Sequence, residues 1–133
     1  VLIDVYRVNS IGPILMVKHF KSLLESGSEK MVVNISSWLS SVSNLGFGGH
    51  YGYVSSKNLL NVLNKSMALE IKDSGIVCVN VNPGWVKTDM GGENADLSQI
   101  DAVEEVINTV LALHLPKTGM FLDRFGKEGT YAW

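Results

Sequence analysis

Near the start of the chain the positions Val5, Val8, Gly12, Leu15, Met16, His19 and Leu23 recur at intervals of three and four, which marks one face of a helix from Asp4 to about Leu24. Gly12-Pro13 falls inside that helix and should bend it, because proline has no N–H to give the preceding turn. The period then changes. Met31-Val-Val-Asn-Ile35 is a short β-branched run without polar alternation, the pattern of a central parallel strand covered on both faces. A loop rich in Ser, Asn and Gly occupies 36–49. A second helix starts near His50 and continues to about Lys72, with Leu59, Leu60, Leu63, Met67 and Ile71 on one side. Asp73-Ser-Gly75 ends it, and Ile76 to Val81 forms another continuous apolar strand, stopped by Asn82-Pro-Gly84. Val103, Val106, Ile107, Val110, Leu111 and Leu113 then describe a third helix, and Met120-Phe-Leu122 suits a short last strand.

Helices alternating with unalternating strands predict an α/β fold with a doubly wound parallel sheet. No repeat, linker or low-complexity segment divides the chain, so residues 1–133 read as one domain or part of one. At 133 residues the chain is short for an enzyme built from two mononucleotide-binding halves. Its net charge of −2 and scattered basic residues argue against nucleic acid as a partner. No apolar run approaches the roughly 20 residues of a membrane helix, and the absence of a secretory leader makes the cytoplasm the expected location. Cys78, the single cysteine, lies within an apolar strand and reads as a small buried hydrophobe. His19, His50 and His114 lack metal-ligand spacing, so no metal is predicted.

In open α/β sheets, ligands bind beyond the carboxyl ends of the strands, which points to the loops after Ile35 and Val81. Tyr53 and Lys57 are four residues apart at the start of the second helix and share one face. A lysine cation beside a phenol favours phenolate and makes the tyrosine a usable acid or base near neutral pH. Asn34-Ile-Ser-Ser37 leaves a strand at its carboxyl end and aims a serine hydroxyl toward the same crevice. Asn9, a poor helix former, needs partners for its amide. In Asn82-Pro-Gly-Trp-Val-Lys-Thr88 the Pro and Gly allow a sharp turn and close approach to a flat ligand. Trp38, Trp85 and Met90 either border a substrate pocket or simply pack.

Val8-Asn9, Asn34-Ile-Ser-Ser37, Tyr53-Val-Ser-Ser-Lys57 and Asn82-Pro-Gly-Trp-Val-Lys-Thr-Asp-Met90 stand in the order and spacing of the short-chain dehydrogenase/reductases, and nearly the whole chain resembles that family. Asn9-Ser-Ile-Gly-Pro13, Tyr51-Gly-Tyr53 and the segment 83–92 are similar to its C-factor and sniffer-like carbonyl reductases. The resemblance implies the C-terminal part of a Rossmann-type fold and NADP(H)-dependent reduction of a small carbonyl substrate, with NAD(H) as the other cofactor option. It implies Tyr53 as proton donor and Lys57 as its partner and a contact to the nicotinamide ribose. It further implies Ser37 as the group that holds the carbonyl, Asn9 as the anchor of a water, and Pro83, Gly84, Val86 and Thr88 as the lining of the nicotinamide. Ser36, Ser40 and Ser41 are lesser candidates for the role of Ser37, because the interval from Ser37 to Tyr53 is longer than usual for the family.

The family's glycine-rich phosphate turn has no counterpart here: neither Gly46-Phe-Gly-Gly49 nor Gly91-Gly92 lies directly between a strand and a helix. Val1-Leu-Ile3 resembles the strand leading into a family motif, and the sequence then reads as though that motif and the segment after it had been skipped. The alternative expectation is therefore a truncated, inactive piece that binds a partner or has no function. Apolar residues beyond the sheet-facing side, Ile11 and Ile14 in the first helix and Val62 and Leu69 in the second, together with the family's habit of pairing these helices, predict a homodimer.

Overall fold

The computed structural model describes residues 1–131. Its order is α1 (Leu2–Tyr6), a π-helical turn (Arg7–Ile11), α2 (Gly12–Ser26), β1 (Met31–Ile35), α3 (Tyr51–Glu70), β2 (Val77–Val81), α4 (Gln99–Leu111) and β3 (Phe121–Leu122), with short 3-10 turns between. The strands form one parallel sheet in the order β1-β2-β3, and in its register Asn34 faces Asn80 and Val81 faces Leu122. The α/β fold with a parallel sheet expected from the alternation is the fold observed.

Strand β2 organises the interior because successive side chains point to opposite faces. Cys78 packs toward Val17, Met67, Ala68, Ile71 and Ile76 under α2 and α3. Val77, Val79 and Val81 pack with Leu122, Val106, Leu113 and Met120 on the side of α4. Helices thus cover both faces. All five residues of β2 are buried, which explains its unbroken apolar run. Entry into the strand depends on Gly75, whose φ of +72° ends the turn after α3 in a conformation that costs glycine little.

Two expectations need correction. Met31–Ile35 is an edge strand among the described residues, not a central one: it pairs only with β2, and its residues are half-buried or exposed. A β-branched run records the faces of a strand that helices cover, and says nothing of whether both hydrogen-bonding edges are filled. Val1-Leu-Ile3 is not strand-like either, since Leu2 to Tyr6 is helical and Val5 N donates to Val1 O at 3.1 Å. Three consecutive apolar residues fit a strand or a helix equally, and the pattern that follows decides.

The bend expected at Gly12-Pro13 takes the form of a π turn. Gly12 N reaches back five residues to Arg7 O, and Pro13 has no N–H to offer the Asn9 carbonyl four residues earlier. No helix among the described residues is long and apolar enough to cross a membrane.

Burial pushes the Cys78 thiol up to about 11, so almost none of it is thiolate near neutral pH. We expect iodoacetamide at pH 8 to leave native Cys78 unlabelled under conditions that fully label the urea-unfolded chain. Labelling of the native chain at the unfolded rate would contradict the packing described here.

Candidate functional site

The parallel register brings the carboxyl ends of β1 and β2 side by side, and the loops that follow them hold most of the chemistry. The loop after β1 passes through Ser37 and two 3-10 turns, Trp38–Ser40 and Val42–Asn44, and the Ser37 hydroxyl caps the first by accepting from Leu39 N at 3.2 Å. At the far end of that loop His50 adopts the left-handed conformation, φ +50°, and turns the chain into α3 three residues before Tyr53. Glycine, with no side chain to resist, is the usual residue for such a turn, although histidine is among those that tolerate it.

Tyr53 and Lys57 lie on the first turns of α3. The Lys57 ammonium is 5.8 Å from the centre of the Tyr53 ring and donates at 2.7 Å to the carbonyl of Ile35, the last residue of β1. This bond ties the helix to the end of the strand, and two further N–H groups of the ammonium remain. Burial lowers the Lys57 pKa from its ordinary 10.5 by penalising the charged form.

Asn9 reaches α3 from the π turn. Its amide donates to Ser56 Oγ at 3.0 Å, Ser56 Oγ donates to Tyr53 O at 2.8 Å, and Ser10 Oγ donates to Ser56 O at 2.8 Å. Ser56, fully buried, therefore joins the π turn to the helical turn that carries Tyr53. Tyr6, the last residue of α1, adds a bond of 2.8 Å to Ser55 on α3.

After β2 the chain turns at Gly84, where φ is +89° and a Cβ would lie 2.6 Å from Leu97 Cδ1. Only glycine fits there. Gly84 N donates to Asn82 Oδ1 at 3.3 Å, and the parallel bridge between Val86 and Leu97 holds the next stretch. The exposed Thr88 hydroxyl accepts from Gly91 N at 3.0 Å. Gly91 is needed in turn, since a Cβ there would sit 1.9 Å from Val86 O.

Asn9, Ser37, Tyr53 and Lys57 are thus carried by the π turn, the β1 loop and α3, while Pro83, Gly84, Val86 and Thr88 form the neighbouring loop. Of the other serines, Ser36 Oγ donates to Asn61, Ser40 Oγ donates to Ser37 O, and Ser41 Oγ accepts from Asn44 at 2.9 Å. Tyr51 is 80% exposed. Trp85 and Met90 are also exposed; the Trp85 indole donates to Gly91 O at 2.8 Å, and Trp38 packs edge-on against Phe47.

Sequence reasoning passed over a buried asparagine cluster. Asn34 donates to Asn64 at 3.0 Å and Asn80 donates to Asn61 at 2.7 Å, which links both strands to α3 through side chains. The available signal was Asn61 itself, a polar residue eight and four positions after Tyr53 and Lys57, hence on their face of the helix.

A parallel α/β sheet whose loops gather at adjoining carboxyl ends of strands has the layout of the doubly wound folds, which bind ligands in that crevice. A family model described as short chain dehydrogenase matches residues 2–111, and the chain belongs to that family. It is 32% identical to C-signal of Myxococcus xanthus over 123 residues, which covers 92% of this chain and 74% of that protein. Among solved structures, the carbonyl reductase Sniffer of D. melanogaster aligns over 99% of this chain with a TM-score of 0.91 and 32% identity, covering 57% of its own chain. The NADPH-bound carbonyl reductase from chicken fatty liver aligns over 99% of this chain with a TM-score of 0.90 and 31% identity, again covering 57% of its own chain. The chain spans little more than half the length of these solved reductases.

The depressed Lys57 value fixes the sign of a pH effect. Between that value and 10.5 the unfolded chain binds more protons than the folded one, so stability should rise with pH across the interval. Urea midpoints should show wild type gaining on Lys57→Met as pH climbs toward the ordinary lysine value. A constant difference between the two would show that the ammonium is not desolvated.

Proposed function

We propose that this chain carries the proton-transfer part of an NADP(H)-dependent carbonyl reductase acting on a small carbonyl substrate. The observation that supports this most is the tie from Lys57 to the end of β1, which sets the Tyr53 helix against the Ser37 loop. The residues suit the nicotinamide end of such a cofactor by their chemistry. Lys57 has N–H groups to spare for ribose hydroxyls, and Thr88 presents an exposed hydroxyl beside a glycine turn that lets backbone come close. NADPH in the chicken reductase and NADP in a Burkholderia multivorans relative, with a TM-score of 0.82 at 28% identity, support the choice of cofactor.

The bound cofactor supplies the hydride that reduces the carbonyl carbon. Tyr53 gives its phenolic proton to the carbonyl oxygen, for which no hydrogen bond within the described residues competes. Lys57 stabilises the negative charge left on the phenol, because opposite charges at short range attract strongly where water is scarce. Ser37 donates its hydroxyl proton to the same carbonyl oxygen and fixes its direction. Asn9 steadies the helical turn behind Tyr53 through Ser56, and its carbonyl, which Pro13 cannot cap, holds a water that returns protons to Lys57. Pro83, Gly84, Val86 and Thr88 line the nicotinamide.

Residues 1–133 act as a partial domain in this reading, in the cytoplasm, as a homodimer through the π turn and α3, where Ile11, Val62 and Leu69 are exposed, whereas Ile14 packs against the core. The edge position of β1 among the described residues favours a second reading, a piece that binds a partner by strand addition without catalysis.

Tyr53→Phe removes one oxygen. Where carbonyl reduction is measurable it should cut kcat by about a hundredfold to ten-thousandfold and leave the NADPH dissociation constant nearly unchanged. Retained turnover would remove Tyr53 from the site. For assembly, light scattering at working concentration should return twice the chain mass, and a monomer mass would contradict the dimer.

A further inference from the structure

Ser37 lies in no strand or long helix, so whatever fixes its hydroxyl must come from outside its own loop. The bonds to that loop converge on one amide. Asn61 Oδ1 accepts from Ser36 Oγ at 2.7 Å, and Asn61 Nδ2 donates to Ser40 Oγ at 2.7 Å. Ser40 Oγ in turn donates to the carbonyl of Ser37 at 2.6 Å. One side chain thus grips the residue before Ser37 and the residue three after it. The same Oδ1 accepts from Asn80 Nδ2 at 2.7 Å, which anchors the grip to the central strand. One turn earlier on α3, Asn58 donates to Ser40 O at 2.9 Å.

Asn61, Ser40 and Asn80 are each at most 2% exposed, so these are bonds made away from water. A buried amide is costly unless its polar atoms find partners, and once they do it admits a single arrangement of its neighbours. An apolar residue would fill the same space without fixing where the loop sits. The helix carries the constraint onward, because Lys57 and Tyr53 are one and two turns from Asn61 on the same rigid rod.

We propose that Asn61 is a positioning residue: by clamping Ser36 and Ser40 to the helix of Tyr53 and Lys57, it sets the place of the Ser37 hydroxyl relative to the phenol. The proposal rests on the reading of Ser37, Tyr53 and Lys57 as a reductase site, and its test separates the two. Asn64 is the comparison residue. It is equally buried on α3 and bonds Asn34 and Cys78 O, but makes no hydrogen bond to the loop among the described residues.

The Ser40 and Ser41 amides report the loop, since they donate to Ser37 O at 2.9 Å and Trp38 O at 3.1 Å. Their hydrogen exchange is followed by NMR in Asn61→Ala, Ser40→Ala and Asn64→Ala, with global stability measured in urea. At matched global stability, Asn61→Ala and Ser40→Ala should exchange both amides about tenfold or more faster than Asn64→Ala. Ser40→Ala is the smaller change and decides the matter if Asn61→Ala does not fold. Where turnover that depends on Tyr53 is measurable, Asn61→Ala should lower kcat about tenfold while the NADPH dissociation constant moves less than about twofold. Equal protection of the two amides in all three variants would overturn the proposal, as would an unchanged kcat in Asn61→Ala. If Tyr53→Phe retains turnover, the reductase reading fails, and the exchange comparison still decides whether Asn61 holds the loop.

Discussion

The parallel register of β1 against β2 is the constraint from which the rest follows. Parallel strands end on the same side of a sheet, so pairing Ile35 with Val81 forces the two following loops to emerge together. The crossover between the strands must then pass over the sheet, and α3 starts near the strand ends because its first residues leave the loop after β1. Tyr53 and Lys57 occupy those first turns, and the bond from Lys57 to Ile35 O closes the arrangement. A slip of β1 by one residue against β2 would turn Asn34 to the face of α4 and break its bond to Asn64 on α3.

The polar interior between sheet and helix has a different purpose from the apolar one opposite. On the side of α4, Val77, Val79, Val81 and Leu122 exclude water and require only volume. On the side of α3, Asn34, Asn61, Asn64 and Asn80 interrupt the core with amides that must meet specific partners. Burying the amides of Asn61, Asn64 and Asn80 costs stability that their hydrogen bonds offset only in part, because Asn80 Oδ1 has no partner among the described residues. What the arrangement adds is direction: it fixes the helix along and around its axis relative to the strand ends. The apolar part of the same face, around Val17, Met67 and Ile76, lies toward the other end of the strands, away from the loops that hold Ser37 and Gly84.

Local pattern made much of this legible. Alternating periods gave the parallel α/β order, the four-residue interval placed Tyr53 and Lys57 on one face, and Pro83-Gly84 announced a close turn. Each depends on neighbours in sequence. The edge position of β1 was hidden because side-chain burial and backbone pairing are separate properties of a strand. The π turn at Arg7–Ile11 was hidden because Gly12-Pro13 signals a bend without specifying how the backbone absorbs it. Asn61 was hidden most deeply. Its partners Ser36, Ser40 and Asn80 stand 25, 21 and 19 positions away, and no local periodicity encodes bonds that only the fold creates.

The central claim is that the π turn, the Ser37 loop, the first turns of α3 and the loop after β2 form a single nicotinamide-facing crevice. Reduced nicotinamide mononucleotide, which has the nicotinamide ribose but no adenylate half, addresses that crevice alone. Titrated into the 15N-labelled 133-residue polypeptide, it should shift the amide resonances of Ser37, Tyr53, Lys57, Gly84, Val86 and Thr88 together, with one binding curve, and leave those of α4 unchanged. Shifts scattered over α4 and the β1 edge, or none at the named residues at millimolar ligand, would contradict the account.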